Sequence, residues 1–142
     1  MTKRLLLAVA AAALCACPAK KTSWTPYDAG KLTLEFPCTP QTAAAVTKCM
    51  RSDGTLYAVA VVEKGVSPEQ ALQDTVEYAK GLPKTTVLTE TFPVKFVEER
   101  QFGKLESAVY YLDGKEYTAS VQYSSNQVPP DLSDFFAKVK AK

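Results

Sequence analysis

Apolar and polar residues alternate through residues 32–36, with Leu32, Leu34 and Phe36 on one face, Thr33 and Glu35 on the other, and Pro37 at the end. A period of two describes a half-buried strand. A second pair of strands follows over about residues 43–51 and 56–62, separated by Ser52-Asp53-Gly54, where the glycine tolerates the positive φ of a tight turn. The later arm is apolar on both faces, which places it centrally in a sheet. Residues 67–82 switch to a helical period. Ser67 is the cap, Pro68 suits the first position, Gln70 completes a capping box and Gly81 ends the segment, while Ala71, Leu72, Thr75, Val76 and Ala79 line one face. Two further strands are expected over about residues 85–92 and 94–98, divided by Pro93. A second hairpin turns at Asp113-Gly114, and Tyr117, Ala119, Val121 and Tyr123 alternate with Thr118, Ser120 and Gln122. Leu132, Phe135, Phe136 and Val139 then repeat at helical spacing in a short closing helix. The order of elements predicts an α+β fold, a largely antiparallel sheet covered by helices.

That order, together with the entry "LTLEFPCTPQ" and the close "DLSDFFAKVK", resembles the PsbP-like sandwich over most of residues 24–142. The resemblance implies an assembly or accessory role and transfers no site residue.

The first residues carry a different pattern. Lys3 and Arg4 precede an unbroken apolar run over residues 5–14. Ten residues are too few to cross a bilayer as a helix, which takes about 20. They read as the hydrophobic region of a signal peptide. The run ends in Leu14-Cys15-Ala16-Cys17, which resembles the bacterial lipobox, Leu-x-(Ala/Gly)-Cys, with Cys15 departing from the usual second residue. The resemblance implies cleavage before Cys17 and a diacylglyceryl thioether on its sulfur, with an amide-linked third chain in many bacteria. Two or more acyl chains hold a protein on a membrane where one does so marginally. Two other fates fit the same residues: ordinary cleavage that leaves Cys17 as a thiol or in a disulfide, and retention as an uncleaved anchor. Pro18 stands where some inner-membrane lipoproteins carry Asp, which favours the outer membrane. The expected organisation is a signal peptide over residues 1–16, a tether over residues 17–23 and one domain over residues 24–142.

Charge fits this compartment. The chain holds 17 Lys and Arg against 15 Asp and Glu, and loss of Lys3 and Arg4 with the signal leaves 15 of each. No strong basic field exists to recruit nucleic acid. With Cys15 discarded and Cys17 lipidated, Cys38 and Cys49 remain as an even pair, which an oxidising periplasm joins as a disulfide. A redox-active dithiol is the competing reading, and the ten intervening residues do not match the C-x-x-C spacing of that chemistry.

Catalytic signals are sparse. The sequence has no histidine, so imidazole-based triads and metal sites are excluded by composition. No motif calls for a cofactor or metal, and an enzyme is not expected. Glu98 and Glu99 are consecutive and point to opposite faces of a strand. Seven tyrosines offer more. Tyr57, Tyr110, Tyr111, Tyr117 and Tyr123, with Trp24, form a candidate binding patch or pocket, because aromatics with a polar tip are enriched at interfaces. Packing between sheet and helix is the plainer role for the same side chains. Two functions follow: a lipid-anchored interaction or accessory module that docks an envelope protein through a sheet face or edge, and a carrier of a small apolar ligand held between sheet and helix.

Overall fold

The computed structural model describes residues 22–142; the expected signal peptide, with Leu14-Cys15-Ala16-Cys17, and the first residues of the expected tether lie outside the described residues. The elements are β1 (Thr25–Asp28), β2 (Leu32–Phe36), β3 (Gln41–Ala43), β4 (Val46–Met50), β5 (Leu56–Glu63), α1 (Pro68–Gly81), β6 (Thr85–Thr89), β7 (Val94–Arg100), β8 (Gly103–Leu112), β9 (Lys115–Ser124), α2 (Leu132–Ala137) and β10 (Lys140–Ala141). They form a seven-stranded sheet in the order β3-β4-β5-β9-β8-β7-β6 and a three-stranded sheet in the order β1-β2-β10. Every pairing in both is antiparallel.

Alternation assigns each face. On β9, Tyr117, Ala119, Val121 and Tyr123 point to one side, where they meet Tyr57 and Val59 of β5. This inner face packs on Leu32, Leu34 and Phe36 of the small sheet, with Val139 beside them. From α2, Phe135 enters the same core, its ring centroid 5.1 Å from Tyr57 and 6.2 Å from Phe36. The outer face of the large sheet carries Val94 and Phe96 of β7 and Val109 of β8, against which α1 sets Ala79, Leu72 and Val76. The antiparallel, sheet-rich α+β class is as expected from the sequence. Covering by helices is not: α1 lies mainly over β6, β7 and β8, α2 has six residues, and a second sheet closes the inner face.

Local chemistry explains the element ends. Asp113 and Gly114 both have positive φ, 53° and 75°, as a two-residue turn between twisted strands requires. By contrast, Asp53-Gly54 belongs to a longer connection, because Arg51 N–H donates to Thr55 O and Gly54 N–H to Arg51 O. At the start of α1, Ser67 Oγ accepts from Gln70 N–H at 3.2 Å. Gln70 does not complete a capping box; its amide donates to Asp74 one turn on, at 2.7 Å. Cys38, just past β2, and Cys49, on the inner face of β4, stand at disulfide distance with Cα atoms 5.7 Å apart, joining the two sheets. Among the described residues no helix is long and apolar enough to cross a membrane.

Candidate functional site

Because α1 covers only one side of the outer face, the strands beside it are left open. Their outward residues are short: Ala58 and Ala60 on β5, Thr118 and Ser120 on β9, and Ser107 on β8. Cross-strand pairing sets them in rows, Ala60 beside Thr118 beside Val109, then Ala58 beside Ser120 beside Ser107 beside Phe96. Short side chains next to a helix leave a trough, here about 620 Å³. Ala71, Asp74, Thr75 and Tyr78 of α1 form its wall. From the row of Glu116 to that of Leu105 the trough runs six residues along β8, about 20 Å at the usual rise of a strand.

Apart from Asp74 on the α1 wall, its charged residues stand at its two ends. At one, Lys64 Nζ and Glu116 Oε2 are 3.4 Å apart; at the other, Arg100 and Glu98 are 3.6 Å apart. Such half-exposed pairs contribute little to stability. They do set polar groups at the limits of a floor made of methyls and hydroxyls. On the wall, Thr75 turns its hydroxyl to Ala71 O at 2.7 Å and so presents its methyl, while Tyr78 is 64% exposed and unburdened by packing. A trough of this size, lined by methyls and hydroxyls with ion pairs at its limits, has the chemistry of a binding site.

The five tyrosines singled out from the sequence are divided by the sheet. Tyr57, Tyr117 and Tyr123 are buried on the inner face, and each hydroxyl has a partner in the chain. Tyr57 donates to Asp131 Oδ1, Tyr117 accepts from Lys31 N–H at 3.1 Å, and Tyr123 donates to Glu106 Oε2 at 3.2 Å. Tyr110, on the same face, is partly buried against that core. Tyr111 alone faces outward; it stacks on Phe92 with centroids 5.9 Å apart, accepts from Val66 N–H and donates to Val66 O. It fixes the loop leading into α1. Burial pushes the hydroxyl pKa of Tyr57, Tyr110 and Tyr123 upward, with the Asp131 and Glu106 carboxylates adding to the effect at Tyr57 and Tyr123. Trp24 is partly buried and receives Lys138 Nζ over its ring at 4.9 Å. The trough therefore lies between sheet and helix, and its aromatic residues are Tyr78 and Phe96 rather than the five tyrosines expected from the sequence. Its floor was visible only as the polar half of the β9 alternation.

Glu98 and Glu99 do take opposite faces. Glu98 turns to the trough and Arg100, and Glu99 is exposed.

A second polar cluster lies on the other side of the large sheet. Asp131, 4% exposed, receives Tyr57 Oη, an Arg51 guanidinium nitrogen and, at 3.4 Å, Thr22 Oγ1. Every acceptor on this carboxylate is answered by the chain, so the cluster reads as a clasp that holds residue 22 to the end of the sheet. No family model matches this chain, and no curated protein matches it in sequence.

Proposed function

We propose that this is a bacterial envelope lipoprotein, anchored through Cys17 and facing the periplasm, whose folded part is an interaction module that receives a segment of a partner protein in the outer-face trough. The observation that carries the reading is the trough itself: an open-sided channel about 20 Å long whose ends bear charges of both signs. An extended peptide needs length, an open side and polar groups at intervals. The accessory role is also what the resemblance to PsbP-like sandwiches implies. Lipid anchoring follows from the Leu14-Cys15-Ala16-Cys17 pattern, with the outer membrane favoured by Pro18.

A small apolar ligand is the second reading, favoured by Val62, Val66, Phe96, Leu105 and Val109 in the lining. Photo-crosslinking in cells separates the two. A photoreactive residue at Thr118, on the floor, is expected to give a discrete protein adduct that a residue at Gln73, on the exposed side of α1, does not. Ser120→Trp, which fills the floor, should abolish it. Identical patterns from both positions, or no adduct from Thr118, would contradict the partner reading. A small-molecule mass retained by the native protein would then support the second.

A further inference from the structure

The tether, if Cys17 is its lipid-bearing end, leaves one end of the sheet no choice of surroundings. Thr22 is clasped to Asp131, and Asp131 to Arg51 at the start of the β4–β5 connection. Asp53 and Gly54 of that connection share a surface hollow with Gln101, Phe102 and Ser124. The segments 51–54, 101–102 and 124–130 thus project from the same end as the first described residue. Cys17 precedes Thr22 by five residues, a span of at most about 18 Å fully extended.

This end differs from the opposite one. In its three segments the only charged residues are Arg51, which is bound to Asp131, and Asp53, whose carboxylate accepts from Thr55 N–H at 2.9 Å; Arg100, the last residue of β7, borders the same hollow as Phe102 and is half exposed. The rest is Ser, Gln, Asn, Gly, Pro and two exposed apolar side chains, Phe102 at 82% and Val128 at 63%. The opposite end shows Glu63, Lys64, Glu90, Asp113 and Lys115 at its strand ends and turns. A phenylalanine at a hairpin tip gains nothing from folding. It gains when it enters the interfacial region of a bilayer, where the half-exposed Arg100 beside it can meet an anionic headgroup.

We infer that the Phe102 and Val128 tips form a membrane-docking end, which seats on the lipid surface that holds the Cys17 anchor and leaves the trough facing sideways. The inference rests on the lipoprotein reading. The test uses the full mature protein reconstituted in phosphatidylethanolamine–phosphatidylglycerol vesicles, its acylation checked by intact mass on the same sample. Phe102→Trp and, at the far end, Lys115→Trp are compared for quenching by lipids spin-labelled near the headgroup, with the signal of Trp24 subtracted from the wild-type chain. Unfolding midpoints equal to the wild type show that both variants fold. Quenching at position 102 is expected to exceed that at 115 about threefold or more. Equal quenching in acylated protein would overturn the docking end and leave the anchor standing. An unacylated mass would overturn the anchor, and the docking end with it.

Discussion

Asp131 shows how much one buried carboxylate can organise. It joins Thr22, Arg51 and Tyr57, residues far apart in sequence, at the end of the sheet where the chain enters. Asp131→Ala would strand the Tyr57 hydroxyl in the core and release Arg51, at a cost of about 2–3 kcal/mol in denaturant unfolding; a loss below about 0.5 would contradict the clasp. The tyrosines give a pH signature of definite sign. An unfolded chain ionises its tyrosines near pH 10, whereas burial raises the folded values at Tyr57, Tyr110 and Tyr123 above the ordinary 10.0. Stability from this source is therefore complete below about pH 10 and declines as pH rises beyond it, because only the unfolded state releases those protons. Unfolding midpoints measured from about pH 8 to 12 should fall above 10, less steeply in Tyr57→Phe; a flat profile would contradict the burial of these hydroxyls. None of this was legible in the sequence beyond the tyrosines themselves. Asp131 sits in an unremarkable Pro-Pro-Asp-Leu stretch, and its partners are brought to it only by tertiary packing.

Several element ends are legible because their signals are local. Ser67 and Pro68 start α1, and Asp113-Gly114 turns β8 into β9, because each requirement is met by neighbours in sequence. Short edge strands were not anticipated: β1, β3 and β10 have four, three and two residues, too few for a period to show, and β10 exists only because β2 is there to pair with it. Two glycines test the elements in opposite directions. A Cβ at Gly103, the first residue of β8, would collide with the Tyr123 carbonyl, so Gly103→Ala should cost about 1–3 kcal/mol. At Gly81, the last residue of α1, a Cβ meets open space, so Gly81→Ala should stabilise by about 0.5–1 kcal/mol. Thermal unfolding of the pair checks both, and a neutral Gly103→Ala would contradict the close β8–β9 approach. The Cys38–Cys49 bridge links sheets rather than adjacent strands. Replacing both by serine should lower stability by about 2–3 kcal/mol, read from the shift in urea midpoint with the slope unchanged.

At the scale of the whole molecule, three layers follow from one alternation: α1 on the outer face of the large sheet, the large sheet itself, and the small sheet with Phe135 and Val139 on the inner face. Periodicity showed that β9 has an apolar face and a polar one. It did not show that a second sheet would bury the tyrosines or that α1 would stop short of β9. That shortfall is the trough, and the proposed function depends on it. Orientation depends on where the chain is held: the proposed tether at Cys17 would set the Phe102 end against lipid and the trough beside it. The most direct measurement is the intact mass of the protein extracted from its native membrane, with and without reductant. An N-terminal Cys17 bearing acyl chains is expected, with a gain of two hydrogen atoms on reduction as the Cys38–Cys49 bridge opens. A mass without acyl chains would contradict the anchor at Cys17.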